Sequence, residues 1–432
     1  MEKILFDNLQ ETLFHEKLDN GLQVYILPKR GFSKTYVTFT TKYGSIDRTF
    51  IPRGKKDFVT VPDGIAHFLE HKMFDKKDED VFQRFGVLGA SANAFTSFTR
   101  TSYLFSTTDN LYENTKVLLD FVQEPYFTEE KVEKEKGIIA QEITMYDDNP
   151  DWQNYFGMIR SLYKEYPINI DIAGTVDTIQ EITAEHLYEC YETFYHPSNM
   201  TVFVIGAVDP EEMINFIRED QNNKEFSEPE EINRQYPDEP SGANKKKTVL
   251  EMDVLRPKFN YGMKCNLSEM TGDEMLRQDL AVNLLLDILF GRTSDFYTKA
   301  YNDHLIDETY HYDFIFEKGF GFAMVESDTD NPEKLESAVR NTLKSLTENW
   351  TITEEDLNRA RKRRIGQFMR SLNSIEFISN QFTQYYFNDM NLFDVVPTLE
   401  KIEIGHLQDA FKTISNEEGH TVMTIVPGTK EG

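Results

Sequence analysis

The sequence of 432 residues predicts an α+β fold of two tandem homologous domains, each a largely antiparallel sheet packed with helices. Three observations carry that expectation. Strand-like and helix-like segments alternate along the chain, a polar stretch without apolar periodicity lies near its middle, and the segments flanking that stretch resemble each other. At about 150 residues per domain, a chain of this length has room for two to four domains.

Taken in order, the first eighteen residues alternate charged and apolar side chains and lack a basic start followed by an apolar core, so they do not read as a signal peptide. Residues 23–27 and 36–43 alternate and are rich in β-branched and aromatic side chains, which predicts strands. Pro62-Asp63-Gly64 reads as a turn, with Asp63 the expected N-cap of a helix made apolar by Ile65, Ala66, Phe68, Leu69, Met73 and Phe74. Residues 91–105 return as strand, 111–122 and 131–145 follow as amphipathic helices, and 201–208 close the half as strand.

Residues 219–247 are rich in Glu, Asn, Pro, Ser and Lys and form the expected linker between domains at 1–218 and 248–432. Beyond it, residues 260–265, 309–316, 321–326 and 419–426 read as strands, and 332–346 and 357–372 as helices. Phe127-Thr128-Glu129-Glu130-Lys131-Val132-Glu133 resembles Ile352-Thr353-Glu354-Glu355-Asp356-Leu357-Asn358, each placed between two amphipathic helices. Part of that similarity is shared N-cap punctuation, but the order of elements favours duplication.

Composition excludes several functions. A formal net charge of −28 argues against nucleic acid or an anionic membrane as main partner, since both reward clustered Lys and Arg. No stretch approaches the ~18 uninterrupted apolar residues of a membrane helix, and no glycine-rich loop offers a phosphate cradle. Two cysteines, Cys190 and Cys265, cannot build a disulfide framework, which fits a cytoplasmic protein.

The chemistry resides in His67-Phe68-Leu69-Glu70-His71. On a helix, imidazoles at i and i+4 lie on one face and can reach one zinc ion, while the carboxylate between them can take a proton from an activated water. This is the H-x-x-E-H arrangement, the inverse of the H-E-x-x-H zinc-protease motif. A zinc site of this kind needs a third protein ligand. The helix at 131–145 offers Glu133, Glu135 and Glu142; Glu135 and Glu142 are seven residues apart and share a face, so that one can ligate and the other support it. Solvated glutamates are the alternative, and two His with one Glu also suit manganese or cobalt. His186, His196, His304 and His311 read as structural, and residues 147–151 as a solvated loop.

With Gln141-Glu142-Ile143 some seventy residues after the motif, the chain resembles the pitrilysin, insulinase and mitochondrial processing peptidase family of inverted-motif zinc peptidases, in its short bacterial two-domain branch. Gly64-Ile65-Ala66, Asn93-Ala94-Phe95-Thr96, Thr101-Ser102-Tyr103, Gly174-Thr175 and the run from Phe194 to Met200 extend the resemblance. It implies one zinc ion per chain held by His67, His71 and Glu142, with Glu70 as the catalytic general base and Glu135 as a supporting acidic residue of the catalytic site. It further implies that Asn93, Ala94 and Phe95 form a sheet edge that receives an extended or unfolded peptide by β-augmentation, although packing alone would account for Phe95.

The family's second domain usually presents an Arg and a Tyr. Here Tyr301 stands where the Arg is expected, and Asp307 or Glu308 where the Tyr is expected. The expectation is therefore a zinc metalloendopeptidase that works as the metal-bearing subunit of a dimer, with a sister chain supplying the Arg-Tyr pair. A non-catalytic peptide-binding or scaffolding subunit is the alternative.

Overall fold

The computed structural model describes residues 1–7, 9–77, 81–265 and 270–428. The first half runs β1 (Glu2–Phe6), β2 (Glu11–Lys17), β3 (Gln23–Pro28), β4 (Thr35–Thr41), the short pair β5 (Thr49–Phe50) and β6 (Val59–Thr60), then α1 (Ile65–Met73) and α2 (Val81–Val87). It continues with β7 (Ser91–Thr96), β8 (Thr101–Thr107), α3 (Leu111–Gln123), α4 (Glu129–Asp147), α5 (Pro150–Leu162), α6 (Val176–Gln180), α7 (Ala184–Phe194), β9 (Met200–Gly206) and α8 (Pro210–Asn222). The second half runs β10 (Lys247–Met252), β11 (Lys258–Lys264), α9 (Gly272–Phe290), α10 (Asp295–Asn302), β12 (His311–Glu317) and β13 (Phe320–Asp328). It ends with α11 (Pro332–Glu348), α12 (Glu354–Ser371), α13 (Ile375–Phe387), α14 (Val395–Lys401), α15 (Ile404–Ile414) and β14 (His420–Pro427).

Seven strands form one sheet in the order β1-β2-β3-β9-β4-β8-β7, and five form another in the order β10-β14-β11-β13-β12. Every neighbouring pair is antiparallel except β3 with β9 and β10 with β14. The parallel pair thus falls at the same place in both sheets, and β10, β14, β11, β13 and β12 take the places of β3, β9, β4, β8 and β7. The duplication expected from the Thr128 and Thr353 segments is a duplication of topology. Strands β4 and β9 lie at the centre of the first sheet and are buried along their whole length, which is why they read as near-continuous runs of β-branched and apolar residues.

The compact units are not the sequential halves. One consists of Met1–Ile143, Ile170–Tyr236 and Leu372–Phe387, the other of Thr144–Asn169, Pro237–Ser371 and Asn388–Gly432. Helix α13, from late in the chain, covers β4 and β9 of the first sheet, with the Phe382 ring tilted against Phe203 at 4.6 Å between centroids and Thr38 Oγ1 hydrogen-bonded to Ser379 Oγ at 3.2 Å. Helix α5 covers β11 and β14 of the second sheet, and beyond its end the Tyr163 hydroxyl donates to the Gly321 carbonyl at 2.7 Å. Each large apolar side chain so buried contributes about 1.5–3 kcal/mol, so each unit depends on a helix from the other half. The change of unit between Tyr236 and Pro237 falls inside the segment expected as linker, whose first residues belong to the end of α8.

Residues 147–151 are largely exposed and end α4, as expected, and Asn149 also caps α5, its side chain accepting from the amides of Asp151 and Trp152, with Pro150 in the first turn. One local expectation is corrected. Asp63 does not cap α1; the cap position is Gly64, in the left-handed region, and no side chain bonds there. Asp63 is instead ion-paired to Arg48.

Candidate metal centre

The start of α1 is held by two glycines. Gly64 has φ 86°, and a Cβ there would lie 2.3 Å from the Ala173 carbonyl oxygen; Gly174 has φ 74°, and a Cβ there would lie 2.5 Å from the Asp63 oxygen. The backbone at 63–64 and 173–174 therefore packs together in a way no side chain would allow. Helix α1 that follows is buried at every position but His71, so its polar residues need partners inside the protein.

The two imidazoles lie on one face, ring centroids 4.6 Å apart. Helix α4 buries Val132, Ile139 and Ile143, and from it Glu142 reaches both rings: Oε1 is 3.6 Å from His67 Nε2 and Oε2 is 3.5 Å from His71 Nε2. Among the described residues, His67, His71 and Glu142 form the single group of three or more His, Cys, Asp or Glu able to hold a metal, their ligand atoms all within 4.8 Å of one another. A tetrahedral zinc ion with bonds of about 2.0–2.1 Å sets its ligand atoms about 3.3 Å apart, close to what is seen.

Another carboxylate of α4, Glu135, favours one tautomer of the His71 ring. Glu135 Oε1 accepts from His71 Nδ1 at 3.2 Å, leaving Nε2 to offer a lone pair toward Glu142. Two lone-pair donors facing each other at 3.5 Å fit a cation between them. His67 lacks such support: its Nδ1 is buried without a hydrogen-bond partner among the described residues. Lys72, fully buried, lies 3.4 Å from Glu135 Oε2 and also contacts Asp75.

These contacts set the titration of the groups. Burial pushes the Glu70 carboxyl above its ordinary range, against the opposing pull of His67, His71 and a hydrogen bond from Thr96. Burial pulls the His71 imidazolium down, but Glu135, Glu70 and Glu142 outweigh it and its pKa ends raised. Burial likewise raises Glu135, yet His71 and Lys72 prevail and hold it below the usual carboxylate value. Thr96 Oγ1 donates to Glu70 Oε2 at 2.6 Å, leaving the other carboxylate oxygen to exchange a proton.

Thr96 ends β7, the outer strand of its sheet, which packs beside α1. Asn93, Ala94 and Phe95 lie on this strand. The Ala94 amide donates to Asn93 Oδ1 at 2.9 Å instead of to β8, so that residue turns its backbone groups outward. Phe95 is half-buried rather than a core residue, with the Arg100 guanidinium 5.7 Å over its ring. Thr96 and Lys72 are neighbours of the candidate site that reading by motif does not single out. Thr96 has a signal, being the last residue of the Asn93-Ala94-Phe95-Thr96 run; Lys72 has only its place after His71.

In the other unit, Tyr301 is exposed on α10 and stacks on Tyr297, and Asp307 is ion-paired to Arg256 at 2.6 Å. Tyr310 turns its hydroxyl to the Phe290 carbonyl at 2.7 Å. Both cysteines are buried and unpaired, and among the described residues no helix is long and apolar enough to cross a membrane.

Residues 61–175, which span all five of His67, Glu70, His71, Glu135 and Glu142, match the family model for Insulinase (Peptidase family M16), and residues 181–364 match the Peptidase M16 inactive domain. The chain is 53% identical over 427 residues to an uncharacterized zinc protease of Bacillus subtilis (strain 168), YmfH, covering 99% of each. It superposes on the crystal structure of an M16-like peptidase from Alicyclobacillus acidocaldarius with a TM-score of 0.93 at 38% identity, covering 97% of this chain and 99% of that one. A protease from Helicobacter pylori shares the fold at 20% identity, with a TM-score of 0.82 over 96% of this chain and 99% of its own.

Proposed function

This chain belongs to the insulinase family, peptidase family M16, and from that premise we propose that it is a zinc-dependent endopeptidase acting on extended or unfolded peptides. One observation supports the reading: the ligand atoms of His67, His71 and Glu142, which could hold a metal ion, converge within 4.8 Å, with the buried carboxylate of Glu70 on α1 between the two histidines and held by Thr96. His67, His71 and Glu142 would hold the ion. A bound zinc ion supplies Lewis-acid polarisation of a scissile carbonyl and acidifies an attacking water.

The chain's own residues do the rest. Glu70 takes the proton of the attacking water on the oxygen that Thr96 leaves open and delivers it to the leaving amine, and burial raises its basicity toward what that task needs. Glu135 positions His71 through Nδ1. The outward-turned backbone of β7 receives the peptide as an added strand, with Asn93, Ala94 and Phe95 beside it. Such recognition uses main-chain hydrogen bonds and makes few demands on sequence.

The chain works with a similarly sized sister that supplies an Arg-Tyr pair, since Tyr301 and Asp307 stand in the stretch where that pair is expected. One missing oxyanion donor costs about 3 kcal/mol of transition-state stabilisation. Peptide cleavage by the wild type and Glu70→Gln, each with and without candidate sister chains, tests both parts. Glu70→Gln abolishes cleavage while metal content stays at one ion per chain, and a sister chain raises the wild-type rate. Equal cleavage by both forms overturns the catalytic assignment; full activity of the chain alone overturns the need for a sister.

A further inference from the structure

The second unit contains a cavity in the place that the metal centre holds in the first. Aligning Phe74 with Phe290, which close the two apolar helical runs, sets Asn283 of α9 opposite His67 and Asp287 opposite His71. The Thr128 and Thr353 starts set Gln367 of α12 opposite Glu142, and Arg363 and Arg364 opposite Ile138 and Ile139. These residues of α9 and α12 line one cavity of about 360 Å³, joined by Arg292 and by Tyr312 of β12, the edge strand that corresponds to β7.

Cationic donors exceed the carboxylates that face them. Asp287 is 5% exposed and is taken up from within: Arg363 Nη2 donates to it at 2.9 Å, the Tyr312 hydroxyl at 2.7 Å, and Arg364 Nε lies 3.2 Å away. Arg364 Nη2 donates to Asn283 Oδ1 at 2.9 Å. Asp313 also lines the cavity, and its Oδ1 accepts the Phe314 amide at 2.8 Å. Three guanidinium groups therefore meet two carboxylates, and Arg292, an exposed residue, makes no ion pair with any described residue. In a chain of net charge −28, a cavity with surplus guanidinium beside an open strand edge is a local exception.

We propose that this cavity binds a carboxylate of an extended peptide laid along β12, with Arg292 and Arg364 as its cationic partners. That the ligand is a peptide rests on the function proposed above; the carboxylate follows from the guanidinium groups of the cavity. Its volume admits one residue-sized group, either a C-terminal carboxylate or an Asp or Glu side chain.

Binding measured by fluorescence anisotropy on the full-length Glu70→Gln protein, which separates binding from cleavage, tests the idea. Three labelled decapeptides of otherwise neutral sequence are compared: one with a free C-terminus, one amidated, and one amidated with an internal Glu. A carboxylate-bearing peptide binds at least tenfold tighter than the neutral amide. Adding Arg292→Ala or Arg364→Gln abolishes the difference while metal content is unchanged, so a failed peptidase assignment would not mimic this result. Preference for the free C-terminus alone identifies the terminal carboxylate, and preference for both identifies any carboxylate. Equal binding of the neutral peptide, a preference that survives both substitutions, or competition by inorganic phosphate as strong as by peptide overturns the proposal. Arg292→Ala breaks no described ion pair, so its fold is retained even if Arg364→Gln proves unstable.

Discussion

Helices α1 and α4 in one unit and α9 and α12 in the other stand at matching places in matching sheets, yet they bring together different chemistry. The first pair converges two imidazoles and a carboxylate; the second converges an amide, a carboxylate and two guanidinium groups. Both are ways to settle charge in a partly buried inter-helix space. The carboxylate of Glu142 faces lone pairs and fits an ion between them, whereas Asp287 carries its own counter-charges on α12. The fold supplies the place, and a handful of side chains decides what fills it.

The comparison can be broken from the first side most sharply. His71→Ala should reduce metal content from one ion per chain to near zero, measured by elemental analysis, with the fold retained; unchanged metal content would place the ion elsewhere. In the second unit, Asp287→Asn leaves Arg363 and Arg364 facing an uncharged amide and should destabilise that unit by about 2–4 kcal/mol in denaturant unfolding. No loss would mean that the cluster is not held by charge. Glu135→Gln keeps the shape of the side chain but weakens its hold on His71, and should lower metal affinity by about 10–100-fold in competition with a chelator. Thr96→Val should slow peptide cleavage by roughly tenfold, the worth of one hydrogen bond to a charged group, without loss of metal.

The smallest effect concerns the two ends of the repeat. His196 caps the short helical turn before β9, its side chain accepting from the Ser198 amide, as Asn416 caps the turn before β14 by accepting from the Glu418 amide. Burial lowers the pKa of His196 below its ordinary value, although Nε2 donates to the Ser227 carbonyl at 2.8 Å. The unfolded chain therefore takes up the proton first, and the contribution of this group to stability is full above about pH 6.5 and declines as the pH falls below it. His196→Asn, which copies the second repeat, should flatten the dependence of Tm on pH between 7 and 5. An unchanged slope would assign the acid sensitivity to other groups, such as buried His420, whose pKa is also lowered by burial.

Much of the site is legible in the chain because its rules are local. The i, i+4 spacing of His67 and His71 and the shared face of Glu135 and Glu142 follow from helical geometry alone. The division of labour on α4 does not, since it depends on where that helix lies against α1: Glu142 meets both Nε2 atoms, while Glu135 meets Nδ1 of His71 and Lys72. Asp63 is a good N-cap residue by type, yet Gly64 takes the cap position because the close approach of residues 173 and 174 demands a left-handed residue without a Cβ. Arg363 and Arg364 read as surface charges on a polar helix until β12 and α9 bring Tyr312 and Asp287 against them.

The sequence by itself determined the α+β class, the duplicated order of strands and helices, and the helical presentation of the ligand types, because periodicity, turn residues and i, i+4 spacing act within a few residues of chain. Only the tertiary structure decided that α5 and α13 each serve the sheet of the opposite half, that Glu135 meets both Nδ1 of His71 and Lys72, and that the second helix pair lines a guanidinium-rich cavity. The reason is that an apolar stripe or a charged side chain specifies what must be buried or paired, but carries no address for its partner. That address is set by which surfaces meet when the sheets form.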